Sequence, residues 1–276
     1  MKTILVPTDF STCAMNALEF ACEISENSDA RIHILHVIEH PVGGTIDPIG
    51  VFVPAPENKD YIKALMDNAK ENMTSFCESM AKLPITSIQI GSPYFKIMEA
   101  VEKDCVDMVI MGTKGATGLK ETLIGSNAER IVRSANCPVI TVNQPIKASS
   151  IDHIAVAVNI KDMSEAALEQ LKEIQRLFDA KVHLVHINTP NNFERDQMVL
   201  KLLEDTTAKH SLENTEIHVY NDIDVTGGII SFAEYIEAGL IVMTTHGKKG
   251  FAHFIAGSTS EDVVNHAQKP VCTFHG

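Results

Sequence analysis

The sequence predicts an α/β protein made of two tandem doubly wound domains, each with a five-stranded parallel sheet. Short β-rich apolar runs alternate with longer amphipathic stretches, which is the pattern of βαβ units. The alternation occurs twice, because the second half of the chain repeats the first. The length of 276 residues also fits two domains, since about 150 residues is typical of one.

The repeat is visible at two constant shifts in residue number. The pairs at a shift of 150 are 4–18 with 154–168 and 31–37 with 181–187. The pairs at a shift of 132 are 107–115 with 239–247 and 135–142 with 267–274. The first half therefore carries eighteen extra residues, placed in the Gly/Pro-rich segment 39–60 and predicted to form a loop. We assign the domains to 1–146 and 151–276.

Each predicted element follows from this alternation. The first-half strands are TILVP (3–7), IHILHV (32–37), ITSIQI (85–90), MVIM (108–111) and PVITV (138–142), with helices near 12–27, 60–82, 94–104 and 126–135. The second-half strands are HIAVAV (153–158), VHLVHI (182–187), EIHVY (216–220), LIVMT (240–244) and PVCTF (270–274). Parallel strands with helical crossovers require helices on both faces of the sheet.

Composition and charge exclude several classes of protein. The formal net charge is −13, from 36 acidic and 23 basic residues, and no Lys/Arg block appears, which disfavours extended contact with nucleic acid or anionic membranes. The apolar run after Lys2 ends at Asp9 and is too short for a signal peptide or a membrane span. We expect a cytoplasmic protein whose six scattered cysteines are reduced and mostly buried.

Two segments at the ends of predicted strands could bind a ligand. Open parallel sheets bind ligands outside the carboxyl ends of their strands, where PTDFS (7–11) follows the first strand and the Gly-rich segment 111–127 follows the fourth. Glycine allows positive φ and close approach of a phosphate to main-chain N–H groups. We predict that Ser126 caps a helix whose positive end points into this segment.

The chain resembles tandem members of the universal stress protein family over nearly its whole length. The ATP-binding members carry G-x2-G-x9-G-[S/T], which stands here as Gly112, Gly115, Gly125 and Ser126. The preceding strand, the segment VPTDFS and the duplication strengthen the resemblance. It implies a Rossmann-like domain, similar to the adenine nucleotide alpha hydrolases, that binds ATP, AMP or ADP, with Mg²⁺ held by the phosphates.

The resemblance also implies a role for each site residue. Asp9 would contact the adenosine moiety, and Val37 would hold the base through its main chain. The residues around the adenosine and the phosphates would be Pro7, Thr8, Met111, Gly112, Lys114 and Gly115. The residues that bind phosphate would be Gly125, Ser126 and Asn127. A simpler interpretation stays open, because an Asp after a strand is often only a turn former and a Gly-rich connection only a tight turn.

The second half departs from the family pattern. Asp9 aligns with Asn159 and Gly112 with Thr244, although His246, Gly247, Gly257 and Ser258 keep the motif spacing. We expect this second site to be weak, altered or empty, and the half to act as an internal partner. The apolar last strands, CPVITV and KPVCTF, are candidates for an edge-to-edge pairing. As in family dimers, they would join the halves as a pseudo-dimer, and a homodimer of the whole chain is left open.

The histidines do not predict a metal site. Residues three apart on a strand point to opposite faces, so neither His33 and His36 nor His183 and His186 can readily share one ion. We interpret them as histidines packed within the sheet.

Three functions remain for comparison. The first is a regulatory adenine-nucleotide-binding protein of the stress response, with slow ATP hydrolysis at most, since no general base held by a second group is evident. The second is an adenylylating enzyme, which is disfavoured because PTDFST lacks the glycines of such loops. The third is an interaction scaffold or chaperone-like factor whose sites are relics.

Overall fold

The fold described here is a computed structural model of the chain. It describes residues 1–39, 44–46, 52–54, 59–78, 80–113, 124–158, 164–245 and 258–275. These ranges contain twelve strands and eight α-helices.

The first half alternates strands and helices in the predicted order. Its strands are β1 (Thr3–Thr8), β2 (Arg31–Ile38), β3 (Gly44–Ile46), β4 (Phe52–Pro54), β5 (Ile85–Ile90), β6 (Met108–Gly112) and β7 (Val139–Val142). Its helices are α1 (Thr12–Ser28), α2 (Lys59–Cys77), α3 (Pro93–Lys103) and α4 (Ser126–Ser134). α1 begins because Ser11 caps it and ends at Asp29, which has a left-handed backbone.

The second half repeats the alternation. Its strands are β8 (His153–Ala157), β9 (Lys181–Asn188), β10 (Thr215–Asn221), β11 (Leu240–Thr245) and β12 (Val271–His275). Its helices are α5 (Glu165–Phe178), α6 (Asp196–His210), α7 (Val225–Tyr235) and α8 (Ser258–His266). Ser164 caps α5 as Ser11 caps α1, and Asp179 ends α5 with the same left-handed backbone as Asp29.

All ten long strands form one sheet in the order β10-β9-β8-β11-β12-β7-β6-β1-β2-β5. The five strands of each half are parallel to one another, which confirms the predicted fold. The halves join where β7 and β12 pair antiparallel, with Ile140 opposite Cys272. The last strands therefore pair within the chain, as their apolar composition predicts.

The two faces of the sheet are packed differently. On one face, a continuous core contains side chains from both halves, including Phe20 of α1, Phe76 of α2 and Leu171 of α5. On the other face, α3 and α4 cover the first half, and α7 and α8 cover the second. Helices thus lie on both faces, as a doubly wound sheet requires, and the shared core makes the halves one packed unit.

The segment 39–60 differs from its prediction as a loop. β3 and β4 pair antiparallel within it and form a separate two-stranded sheet, and α2 begins at its end. Thr45 and Ile46 face Val53 and Phe52 in the register, and β-branched and aromatic residues of this kind favour strand pairing. The glycines and prolines around them hid this short β signal from a reading based on turn-forming residues.

Two further predictions are answered by the fold. All six cysteines are free thiols, but only Cys137 and Cys272 are buried, and Cys105 is exposed. Within the described ranges, no helix combines the length and the apolar character needed to cross a membrane.

Candidate nucleotide-binding site

A cavity of about 610 Å³ opens at the carboxyl edge of the first half of the sheet. It lies where the strand order reverses, because β1 is flanked by β2 on one side and by β6 on the other. Ligands of open parallel sheets bind at such reversal points. The volume also falls within the range of about 300–1,000 Å³ that is usual for small-molecule sites.

The turn between β1 and α1 forms one wall of the cavity. Asp9 Oδ1 accepts the main-chain N–H of Ser11 at 3.0 Å, and Thr8 Oγ1 accepts that of Phe10 at 2.9 Å. Phe10 has a φ of 62°, a left-handed conformation that costs a residue with a Cβ about 1–2 kcal/mol. Asp9 is therefore the turn former of the simpler interpretation, and it also lines the cavity.

His36 of β2 supports this turn and was not among the predicted site residues. Its Nδ1 lies 2.8 Å from the main-chain oxygen of Thr8. Because a carbonyl oxygen can only accept, Nδ1 of His36 carries a proton. The centroids of the Phe10 ring and the His36 imidazole are 4.3 Å apart. Phe76 packs edge-on against the Phe10 ring, with 5.7 Å between centroids. These contacts hold the left-handed turn in place.

Gly112, at the end of β6, is required for packing rather than for its backbone conformation. The sequence argument from positive φ is wrong here, since Gly91 is the only glycine with positive φ among the described residues. A Cβ on Gly112 would lie 2.8 Å from the main-chain carbon of Cys13 and 3.0 Å from the nitrogen of Ala14. The start of α1 packs against the strand end so closely that a side chain has no room.

α4 points its N-terminus toward the cavity. The predicted cap is wrong by one residue: Ser126 is the first helical residue and Gly125 is the N-cap, because Gly125 has the extended backbone of a cap, with φ −64° and ψ 141°. The first N–H groups of a helix lack intrahelical acceptors, and a glycine cap supplies no side-chain oxygen to them. Ser126 and Asn127 line the cavity at this electropositive end.

Thr113 places a buried hydroxyl beside α4. Its side chain is 5% exposed and lines the cavity, and within the described structure its Oγ1 has no hydrogen-bond partner. Its main-chain oxygen accepts the N–H of Gly125 at 2.7 Å, which ties the strand end to the helix cap. A buried polar group without a partner costs about 1–3 kcal/mol. Thr113 lies within the segment from Met111 to Gly115 that the resemblance predicts beside the ribose and phosphates, but no sequence pattern shows that its hydroxyl is buried.

α2 supplies a further wall that sequence reasoning also missed. Leu65, Asn68, Ala69 and Asn72 line the cavity, and their spacing of three, four and seven residues places them on one helix face. Asn72 Nδ2 donates to Asn68 Oδ1 at 3.0 Å. This face presents amide groups opposite the apolar floor of the sheet.

The second half holds the segment that leads into α4. Asn265 of α8 accepts the main-chain N–H of Ile124 through its Oδ1, at 2.5 Å. Nearby, Arg133 Nε of α4 lies 3.1 Å from Glu261 Oε1 of α8. The residue immediately before Gly125 is therefore fixed by a side chain from the other half.

Nine of the eleven predicted site residues line this one cavity. They are Pro7, Thr8, Asp9, Val37, Met111, Gly112, Gly125, Ser126 and Asn127. Lys114 and Gly115 lie outside the described residues.

The equivalent region of the second half carries a different residue at the strand end. Thr244 pairs with Phe274 in the same register in which Gly112 pairs with Val142, so Thr244 is the structural equivalent of Gly112. Four other motif positions of the second half lie outside the described residues, namely Asn159, His246, Gly247 and Gly257. The expectation of a weak or empty second site stays a prediction.

The chain matches the model of a known protein family. The model described as the universal stress protein family matches residues 1–143 and again residues 150–275. The chain belongs to the universal stress protein family. The two matches follow the internal repeat.

Individual universal stress proteins agree with this assignment. One from Methanocaldococcus jannaschii is 32% identical over 53% of this chain and 84% of its own length. One from Synechocystis is 23% identical over 99% of this chain and all of its own length, so it shares the tandem arrangement. The crystal structure of a universal stress protein from Archaeoglobus fulgidus matches 99% of this chain with a TM-score of 0.75 at 23% identity, which shows the fold.

Proposed function

We propose that the first half binds ATP, or a related adenine nucleotide such as AMP or ADP, and that the protein regulates the stress response through this binding. The observation that carries the proposal is the cavity at the reversal point of the first half. It unites the turn after β1 with the end of β6 and the N-terminus of α4, and the last two carry the glycine motif.

The phosphates would lie at the α4 end of the cavity. The free N–H groups of the first helical turn and the helix dipole favour an anion there. The hydroxyl of Thr113 would donate to a phosphate oxygen, which removes the cost of leaving it buried without a partner. Lys114 would add a positive charge, and Mg²⁺ would be held by the phosphates together with water.

The adenosine would lie at the β1 and β2 end. The Asp9 carboxylate can accept hydrogen bonds from ribose hydroxyls, with Pro7 and Thr8 beside it on the β1 wall. Val37 lies one residue beyond the last pair of the β1–β2 ladder, which joins Thr8 to His36. Its main chain therefore extends past β1 at the cavity, where it can bind the edge of the base.

The second half would act as the partner that holds this site in shape. The hydrogen bond from the Ile124 N–H to Asn265 of α8 links the phosphate end to the second half. A nucleotide that reorders this end would change the contacts of α8, and this is how we expect binding to be communicated.

A matched pair of glycine variants tests the proposal. The protein, freed of nucleotide under native conditions, would be titrated with ATP in a calorimeter, as wild type, as Gly125→Val and as Gly257→Val. Valine at the α4 cap would block the approach of phosphate, so we expect affinity to fall at least about 10-fold, or 1.4 kcal/mol. Gly257→Val, at the aligned position of the second half, should leave affinity unchanged.

Circular dichroism would establish that both variants keep the wild-type fold. Unchanged affinity in Gly125→Val, or an equal loss in both variants, would contradict the assignment of the site. A wild-type protein that binds neither ATP nor AMP would favour the scaffold interpretation.

A further inference from the structure

A cluster of three histidines and one glutamate lies on the second half, outside the proposed nucleotide site. The residues are His153 of β8, His183 of β9, and Glu216 and His218 of β10. Glu216 stands directly opposite His183 in the ladder, and His218 lies two residues further on the same face. His183 thus meets side chains from both neighbouring strands.

We propose that His183, Glu216 and His218 form a Zn²⁺ site, with His153 as the residue that orients His183. The three ligand atoms are His183 Nδ1, His218 Nε2 and Glu216 Oε2. Their separations are 3.1 Å between the two nitrogens, 3.5 Å from His183 to the carboxylate and 3.7 Å from His218 to the carboxylate.

These distances fit one face of a zinc tetrahedron. Zn–N and Zn–O bonds of about 2.0–2.2 Å at tetrahedral angles place neighbouring ligand atoms about 3.3–3.6 Å apart. The three edges bracket this range, so a small shift of side chains suffices to bring all three atoms onto one ion. Two imidazoles and a carboxylate are a known ligand set for zinc that leaves a fourth position for water.

The surroundings of His183 have the arrangement that metal-bound histidines require. Its second ring nitrogen, Nε2, lies 3.0 Å from His153 Nδ1, which can accept the ring N–H and fix the tautomer that exposes Nδ1. Lys181 Nζ lies 2.5 Å from Glu216 Oε1 and so occupies the carboxylate oxygen that faces away from the rings. Oε2 is the oxygen directed at the two histidines.

The cluster is accessible to an ion from solvent. The side-chain exposures of 6% for His183, 29% for His218 and 50% for Glu216 leave one side open for the ion to enter.

The first half contains the same histidine without the other ligands. His33 aligns with His183, and in the register its neighbours are Ile85 and Ser87 in place of Glu216 and His218. Its Nε2 lies 2.7 Å from Ser87 Oγ and its Nδ1 lies 3.3 Å from Asp104 Oδ2. Both nitrogens of His33 are used by protein groups, so His33 offers no nitrogen to an ion.

Comparison of histidines within one strand could not find this cluster. The argument that His183 and His186 point to opposite faces still holds, but the ligands come from a neighbouring strand more than thirty residues away. Their meeting depends on the strand order and the register.

Calorimetric titration of the full chain with ZnCl₂, after removal of metals and nucleotide, tests the site. We expect one Zn²⁺ site per chain whose affinity falls more than about 10-fold in Glu216→Gln and in His218→Gln, since even outer-shell partners act on that scale. His33→Gln, the matched first-half variant, and Cys105→Ser, which removes the exposed thiol, should leave the site intact. His153→Gln should weaken it less than loss of a ligand.

Glu216→Gln decides the matter if His218→Gln does not fold, because residue 216 is exposed. Zn²⁺ should also raise the urea midpoint of the wild type and not that of Glu216→Gln. The proposal is overturned if no Zn²⁺ binds, or if binding and the midpoint shift survive both ligand substitutions.

Discussion

The two halves of the chain have the same strand order and the same caps on their first helices, yet their strand ends carry different residues. In the first half, Gly112 lets α1 approach β6 and a cavity opens beside it. In the second half, Thr244 occupies the same register position. The repeated scaffold is thus kept by its core, while single positions at the strand ends differ between the two copies.

The contrast extends to the histidines of the second strand in each half. His33 is satisfied by Ser87 and Asp104, whereas His183 faces His153, His218 and Glu216. The two copies therefore differ in two places. The first has the cavity at the carboxyl edge of its strands, and the second has the histidine cluster on the face covered by α7. The antiparallel pairing of β7 with β12 and the shared core hold both copies together as one packed unit.

The largest effect on stability is expected from Gly112→Thr, which puts the residue of the second half at the equivalent position of the first. In Gly112→Thr, the added Cβ would meet the backbone of Cys13 at 2.8 Å, and backbone yields less readily than a side chain. We expect the free energy of unfolding to fall by about 3 kcal/mol, the upper end for overpacking. Urea denaturation measures this loss.

The reverse exchange, Thr244→Gly, is the control for that prediction. It should cost only about 0.5–1 kcal/mol, as glycine does within a strand. Equal losses in the two variants would show that the two strand ends are packed alike and that the contrast between the halves is wrong.

Thr113→Val should separate ligand binding from stability. The variant removes a buried hydroxyl that has no partner in the described structure, so we expect the unliganded protein to unfold at the same urea concentration or a higher one. Affinity for ATP should fall about 10-fold, because a hydrogen bond to a charged group contributes about 1.5–3 kcal/mol. Parallel urea and calorimetric titrations would measure both, and a drop in stability with unchanged affinity would contradict the role given to the hydroxyl.

Asn265→Ala tests whether the second half supports the first. Loss of the acceptor for the Ile124 N–H should leave the residue before Gly125 less firmly held. We expect the affinity for ATP to fall by about 3-fold, a smaller loss of binding free energy than the roughly 1.4 kcal/mol of a 10-fold change. Calorimetric titration of the folded variant measures this. Arg133→Ala, which removes the ion pair between the exposed Arg133 guanidinium and Glu261, is the control and should leave affinity unchanged. Equal affinities in wild type and Asn265→Ala would mean that the halves are independent.

The sequence predicted the ten strands of the main sheet, the helices and the pairing of the halves because those features depend on local periodicity and on apolar edges. β6 and β11, for example, appear as short apolar runs that end in a glycine-rich or polar segment. Nine of the eleven predicted site residues line one cavity because the topology brings the motif and the strand ends together. Both kinds of feature can be read from the order of residues along the chain.

The rest depends on distances that no single segment contains. The reason for Gly112 is its approach to Cys13, nearly a hundred residues away. The support from Asn265 and the meeting of His183 with His218 likewise arise from tertiary packing. Short β3 and β4 were hidden by the glycines and prolines around them, since turn-forming residues outweighed two three-residue strands.

The number of ATP molecules bound per chain tests the difference between the halves most directly. Protein stripped of nucleotide would be titrated with ATP to saturation by equilibrium dialysis, as wild type and as Asp9→Ala. The account predicts one ATP per chain in the wild type and a marked loss of binding in Asp9→Ala. Two ATP molecules per chain would show that the second half tolerates Asn159 and Thr244, and none would contradict the nucleotide site itself.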